Sequence, residues 1–490
     1  EGLRLEGEGF LQKLDGMWAF AYYDVDKHRL LLSRDLLGER HIFYRVDKDE
    51  FIFASEVKPL LVDSDSSFEI DFDGFLTALQ YFSPPPGRTM VKGIHRIFPG
   101  HNIVCEPKRI LKQYRYGRLH PEKWFDFFNK KPSLEETINI FEEIFHRACK
   151  KRLAHEVPYI CTLSGGLDSA LICLYASDFG KARIRTLYGQ SSEKPAQNLK
   201  DELDEYAASK FTSKKLNTLH NHIFLNSDNS IPVLKRLADN AFDGMFDSGV
   251  ASFEMLARYV RDQNNKVMLV SEGPDEFLGY PKDLCAYHID TMFINNPIKY
   301  RILKLISSRK FGRQLLRRFG FDNLIIPPLF SYEPFRFLPI HESWGPDILG
   351  NLLSNDQIIS TSNHYGVIDP VYEDLKFKMD YAQLRALSYA SLSIPDMFNL
   401  RTDKAYMAAS VEARLPYQAP EMVEFMVAMP VQLRFNNGST TKYIKRKIAE
   451  RHIGPEIASR SKHGFSAPIW LSTNVYKAMD NEEIVRESKI

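Results

Sequence analysis

Cysteine is scarce in this sequence and never paired. Five cysteines (Cys105, Cys149, Cys161, Cys173 and Cys285) are scattered over 490 residues, and none sits in a C-x-x-C pair. This spacing argues against a disulfide scaffold and a cysteine-built zinc site, and it suits a reducing compartment, so a cytoplasmic location is expected. No window approaches the roughly 18 apolar residues of a membrane span. No charged-then-apolar leader opens the chain. Neither sign of charge is in excess, with 64 Lys plus Arg against 63 Asp plus Glu. That balance argues against a chain built mainly to wrap nucleic acid, and leaves a local basic patch open. Repeats and low-complexity tracts are absent as well. What is present, 44% hydrophobic and 26% charged residues, is globular and rules out wholesale disorder, collagen and coiled coil. The length allows about three domains. Residue 1 is Glu rather than Met and leads straight toward a strand-like run, so we expect the chain to begin inside a larger gene product or to have been trimmed.

Strand-like runs at residues 17–23, 29–33 and 50–54, a helix near 73–81, and further short strands over 92–118 predict a mainly β layer for residues 1–118, α+β in class. Residues 119–132 carry no sustained apolar period and end in Lys130-Lys131-Pro132, as expected for a linker. From Ser133, with Glu136 three residues on, a capped helix begins. Strands are then predicted at 157–163, 183–189, 220–225 and 266–270, alternating with helices at 168–179 (closed by Gly180), 201–216, 231–240 and 250–262. Such alternation implies an α/β doubly wound parallel sheet in residues 133–490. Residues 374–430 and 440–452 read as C-terminal helices.

Between the first parallel strand and its helix lies Ser164-Gly165-Gly166-Leu167-Asp168-Ser169. An open α/β sheet binds ligands beyond the carboxyl ends of its strands. Two glycines let backbone approach a ligand, free N–H groups at the helix start favour an anion, and two serines add hydroxyl donors. Asp168 would repel a phosphate unless a cation lay between them, which points to Mg²⁺. The segment is neither a Walker loop nor a G-x-G-x-x-G turn. The bland alternative is a glycine turn that only caps a helix.

This hexapeptide resembles the pyrophosphatase loop of the ATP-pyrophosphatase families, which split ATP between its α- and β-phosphates to adenylate a substrate. Ser271-Glu272-Gly273-Pro274-Asp275-Glu276 resembles the S-G-E-G-x-D-E segment of glutamine-hydrolysing asparagine synthetases, with Val270 and Ser271 in place of the usual Ser and Gly. Ser461-Lys462-His463-Gly464-Phe465-Ser466-Ala467-Pro468 resembles their K-x-G-F-x-x-P segment. Upstream, Leu14 to Ala21, Ser33 to Gly38 and Ala54 to Lys58 look like the second half of their N-terminal glutaminase domain, of the Ntn type. The shared motif order covers nearly the whole chain.

The resemblance implies an adenine-nucleotide-hydrolase-like synthetase domain that uses ATP and Mg²⁺. It makes Asp168 and Asp275 the metal ligands, and Glu272, Lys462 and Asp168 the catalytic residues. Leu163, Ser164, Gly165, Gly166, Leu167, Asp168, Ser169, Gly273 and Lys442 become the ATP-binding set. Pyrophosphate leaves with high negative charge, and a lysine aimed at it is what the chemistry needs; Lys462 takes that role here, with Lys442 the weaker candidate. Arg401 to Lys404 and Val411 to Tyr417 also match, but Glu412 and Arg414 read better as structural ion pairs holding the helices. The implied reaction is formation of an amide from a carboxylate, aspartate by default, with release of AMP and pyrophosphate. A sugar acid, a β-lactam-type acceptor, or a nucleotide-binding scaffold without turnover stay open.

Two departures stand out. The glutaminase nucleophile, an N-terminal Cys, is missing, and Cys105 is internal; truncation and natural loss both explain this. Residues 291–321 contain no acid but eight Lys or Arg among Ile and Leu. They read as a basic amphipathic helix, either a solvated face or a contact for a membrane surface or partner. Small-molecule substrates (carboxylate, ammonia or glutamine, ATP) and no nucleic acid are expected, and a homodimer stays open.

Overall fold

A computed structural model describes residues 1–461 apart from 308–369 and the short stretches 48–49, 63–67, 108, 154–156, 180–181, 191–198, 226–229, 241–242, 244–248, 281–282, 285–286, 289–290, 292–294, 376–377 and 437. Gly180, Lys462 to Pro468 and most of the basic stretch lie outside the described residues. Within that stretch, Pro297–Ser307 is helical as expected.

The N-terminal part holds two antiparallel sheets. One runs β1 (Ala19–Asp24), β2 (Arg29–Arg34), β6 (His101–Glu106), β7 (Arg109–Arg115); the other runs β4 (Glu50–Ala54), β3 (Phe43–Asp47), β5 (Ile94–Arg96). β3 was not among the expected strands, although it is the central strand of its sheet and pairs along both edges. Helix α1 (Phe72–Tyr81) is capped by Asp71, whose carboxylate accepts the Gly74 N–H.

Residues 119–132 are more than a spacer. Pro121–Trp124 forms a 3-10 turn and Phe125–Asn129 a short helix. Trp124 meets the buried ring of Phe425 edge-on at 4.9 Å, and Phe128 lies 5.3 Å from it. Aromatic packing, which has no helical period to betray it, ties this connection to the core. Helix α2 (Leu134–Arg152) follows, and Ser133 Oγ accepts the Glu136 N–H at 3.1 Å as its cap.

The second part is a five-stranded, all-parallel sheet in the order β10 (Leu219–Phe224), β9 (Arg185–Gln190), β8 (Tyr159–Thr162), β11 (Val267–Leu269), β12 (Glu412–Arg414). The expected doubly wound topology is therefore present. The first and fourth strands of this sheet in chain order, β8 and β11, lie side by side, and this is the switch point where crossovers leave in opposite directions and a crevice opens. The intervening helices are α3 (Leu167–Ser177), α4 (Leu199–Lys215), α5 (Ser230–Asn240) and α6 (Val250–Asp262). β12 overturns a detail of the sequence reading. Residues 412–414 are not helical; Glu412 and Arg414 pair with each other on the edge strand (Nε to Oε1 2.6 Å). The ladder from β11, not local propensity, makes Glu-Ala-Arg extended.

The C-terminal helices close over the crevice. Asp380 caps Tyr381–Ser388 with a reciprocal capping box, and the chain then widens into a π-helical stretch, Tyr389–Phe398, with Pro395 inside it. Arg34 and His41 of the N-terminal part hold the Pro395 carbonyl at 3.1 Å each, and Arg34 also reaches Asp396 at 3.5 Å. This buried contact locks the two parts together beside a backbone whose own hydrogen bonding is loosened.

Phe425→Ala should cost about 3–5 kcal/mol of stability, since the ring is fully buried at the junction of helices and connection; denaturant unfolding checks it. Glu39 is buried 3.7 Å from Arg152, and burial raises its carboxyl to about 8 from 4.5 against the pull of Arg152. The folded state thus holds this proton more tightly than the unfolded chain. The associated stability is present below pH 4.5 and is lost as pH climbs toward 8. Melting temperatures of the wild type should fall over that window more than those of Glu39→Gln, which should be the more stable protein at pH 8.

Candidate active site

The crevice at the switch point is a cavity of about 440 Å³, entered by the loop after β8 and the loop after β11. The first loop turns at Gly165, where φ is +79°. A Cβ there would lie 2.2 Å from the backbone oxygen of Glu205 in α4, so only glycine fits between loop and helix. Ser164, Gly166, Leu167 and Asp168 face the cavity. Leu163 does not; its side chain is fully buried in the core beneath the loop. Ser169, expected to add a hydroxyl toward the ligand, is turned inward. Its Oγ accepts the Ser164 N–H at 3.1 Å and donates to the Gly166 carbonyl at 3.2 Å, bracing the loop instead.

The second loop places Glu272, Gly273, Asp275 and Glu276 on the opposite wall. Gly273 has φ of +110°, and it opens the short helix Pro274–Leu278. Glu276 accepts a hydrogen bond from Tyr280, whose hydroxyl is held well above its ordinary pKa by burial and then by the Glu276 charge. Glu272 meets Arg401, with Nη2 at 3.1 and 3.3 Å from its two oxygens. The Arg401 guanidinium lies between two rings, 4.7 Å from the centroid of Phe398 and 5.2 Å from that of Phe253.

Asp168 and Asp275 converge on a single cation, the ammonium of Lys442, at 2.5 and 2.6 Å. Lys442 begins the helix Tyr443–His452 in a left-handed conformation, φ +56°. A second lysine, Lys445, binds the other oxygen of Asp168 and rests 4.0 Å above the ring of Tyr417. It is fully buried, and burial lowers its ammonium to about 7 against the raising effect of Asp168. Lys442, the weaker candidate from sequence, is thus at the centre of the site. Lys462, the stronger, lies outside the described residues, two positions beyond Arg460 and next to Ser461, both of which line the cavity.

Arg401, Tyr417 and Lys445 were not singled out for the site. Arg401 and Tyr417 lie in the segments 401–404 and 411–417 that resemble the family's, and Lys445 carried a local signal of its own. It lies three residues after Lys442, so the two share one helix face.

The donor set suits a hard divalent ion. Two carboxylates from separate loops already flank one positive charge, and carboxylate oxygens with room for phosphate oxygens are what Mg²⁺ takes. No cluster of three or more His, Cys, Asp or Glu that could hold a metal occurs among the described residues.

A second cavity, about 610 Å³, lies between the two parts of the chain and is lined by Trp18, Glu39, His41, Arg152 and Lys404 among others. Lys404 crosses the boundary, donating to the Ser55 carbonyl at 2.7 Å and to Glu56 at 2.8 Å. Cys105, half-buried on β6, has its thiol pushed up to about 11 by burial. No helix among the described residues is long and apolar enough to cross a membrane.

Comparison with known proteins agrees with this geometry. The chain is 24% identical to asparagine synthetase [glutamine-hydrolyzing] 1 of Bacillus subtilis over 97% of its length and 72% of that relative's. It is 32% identical to asparagine synthetase [glutamine-hydrolyzing] 3 of the same organism over 36% of this chain and 29% of that one. It is also 25% identical to the amidase chry2 of Gibberella zeae over 99% of this chain and 74% of that protein. A glutamine amidotransferase domain model matches residues 2–116. The asparagine synthase model matches residues 141–487, most of the chain, and with the two loops meeting at the switch point of the sheet it establishes that this chain belongs to the asparagine synthase family.

Proposed function

We propose that this chain forms an amide at the expense of ATP. It adenylates a carboxylate, aspartate by default, and passes ammonia to the acyl-adenylate, releasing AMP and pyrophosphate. In the intact protein the ammonia comes from glutamine. Residues 1–118 are then a glutaminase-like domain, 119–132 its connection, and 133–490 the synthetase domain. The observation that carries this reading is the convergence of Asp168 and Asp275, from the two loops, on one cation.

Each residue then has a task. The backbone N–H groups at the start of α3 favour the β- and γ-phosphates, while the Ser164 N–H is taken up by Ser169 Oγ in bracing the loop. Gly165 lets that loop lie flat against α4, and Gly273 lets the second loop come close to the nucleotide. Lys442, and Lys462 beyond the described residues, supply positive charge to the departing pyrophosphate. Mg²⁺ held by Asp168 and Asp275 would neutralise phosphate charge and orient the α-phosphorus. Glu272, kept in place by Arg401, faces the carbonyl at which ammonia attacks. A carboxylate acceptor and Glu272 repel each other, and Arg401 is the charge that lets both occupy the cavity.

The glutaminase half lacks its usual nucleophile within this sequence, and Cys105 does not replace it. Its thiol is protonated near neutral pH and it has no free α-amine. The cavity between the two parts is the route we assign to ammonia delivered from that half.

Another acceptor is favoured by one feature. The wall around Arg401 is aromatic (Phe253, Phe398, Tyr406), and a relative matched along 99% of this chain is named an amidase.

Incubation with ATP, Mg²⁺, ammonia and a panel of acids including aspartate should yield AMP and pyrophosphate, read by phosphorus NMR, and an amide read by mass spectrometry. ADP in place of AMP contradicts the mechanism, and no turnover with any acid indicates a scaffold. Asp168→Ala should lower AMP formation by at least about 100-fold.

A further inference from the structure

Lys442 and Lys445 share Asp168, but their settings differ. Lys442 is at the cavity wall and touches both carboxylates. Lys445 is not at the wall. Its side chain is wholly buried, with Asp168 on one side of the ammonium and the Tyr417 ring on the other. That ring is itself immobilised, stacked on Phe145 at 4.3 Å, and the Tyr417 hydroxyl donates to the Asp168 carbonyl at 3.1 Å. One Tyr417–Lys445 unit therefore grips Asp168 by backbone and by side chain.

With Lys445 protonated, the form its contact with Asp168 favours, the four groups balance, two carboxylates against two ammoniums. If Lys442 were the sole counter-ion of both carboxylates, moving it toward a phosphate would strand buried negative charge, which is costly. With Lys445 fixed on Asp168, half of that charge stays compensated wherever Lys442 goes. A pocket that must hold a polyphosphate and also hold acid groups needs such a division of labour.

We propose that Lys445 is a positioning residue: a fixed counter-ion that keeps Asp168 aimed into the crevice while the Lys442 ammonium transfers from the carboxylates to the nucleotide's phosphates. This rests on the adenylation reading above.

The test uses the full chain. Lys445→Met keeps length and removes charge, and Lys445→Arg keeps charge. Mn²⁺ affinity without nucleotide, read by electron paramagnetic resonance, should rise about tenfold in Lys445→Met because one positive charge beside the carboxylates is gone. Affinity for the magnesium complex of α,β-methylene-ATP should fall at least about tenfold, because Lys442 is retained by the carboxylates. Lys445→Arg should restore both toward wild type. Unchanged affinities, or a parallel loss of both, overturn the proposal, since a merely structural lysine would not tighten metal binding. Should Lys445→Met fail to fold by circular dichroism, a crystal of the wild type with the same analogue decides. Lys442 on phosphate with Lys445 still on Asp168 supports the proposal; Lys445 on phosphate, or Lys442 still bridging the carboxylates, overturns it. Absence of AMP formation by the wild type counts against the adenylation reading alone, because the Mn²⁺ affinities still decide the role of Lys445.

Discussion

Two carboxylates held close together at the end of a parallel sheet set the terms for the rest of this molecule. Asp168 and Asp275 belong to different loops, separated in sequence by three crossovers, and the positive charge they share offsets their mutual repulsion. The β8–β11 adjacency brings the loops together. The C-terminal helix brings Lys442 and Lys445 to them. Each of these is a consequence of tertiary packing, yet the chemistry depends on all three at once. A buried ion cluster of this kind is poor evidence for stability, because desolvation opposes attraction. Its persistence is better understood as preorganisation: the site is built around a cation before any ligand arrives.

The opposite wall repeats the principle with different materials. Glu272 is neutralised by Arg401, and the Arg401 guanidinium rests against two aromatic rings. The helix Asn399–Ala408 that carries Arg401 also carries Lys404, which bonds Ser55 and Glu56 in the N-terminal part. One helix thus contributes to the crevice at one position and to the domain boundary three residues later. The π-helical stretch before it is held by Arg34 and His41 from the same N-terminal part and ends in Met397 and Phe398, which line the crevice. Distortion there has a mechanical basis. Pro395 has no N–H to give, and its carbonyl is taken by side chains across the boundary.

How much of this could be read from the sequence follows from where each signal resides. Four of the five parallel strands were legible because short strand-like runs alternate with helical segments; β8 and β11 are also apolar and buried, as expected of strands covered on both faces, whereas the edge strand β10 is half-exposed. β12 was not, since Glu-Ala-Arg has no strand character of its own and takes its shape from β11. β3 was overlooked although Phe43, Tyr44 and Val46 are good strand formers; its role as the centre of a three-stranded sheet depends on partners distant in sequence. Residues 119–132 were read as a spacer because aromatic packing around Phe425 needs no period. In the site, Asp168, Glu272, Gly273 and Asp275 were legible through glycine-rich loops with fixed spacing. Leu163 and Ser169 belong to the same motif, yet one supports it from the core and the other ties it internally, a distinction that spacing cannot express.

The two lysines show the same limit from the other side. In sequence, Lys442 and Lys445 are two of several basic residues on a charged helix, and a solvated face is the ordinary expectation for such a run. Lys447 and Arg451, further along the same helix, do pair with surface acids. What separates the inner pair is helical periodicity. Lys442 and Lys445 are buried, whereas Lys447, about 200° further round the helix from Lys445 at about 100° per residue, and Arg451 lie on the outer side. The helix phase thus converts part of a basic surface into the counter-charge of the crevice. The position of these cations, more than their number, then decides whether a polyphosphate can be both attracted and released.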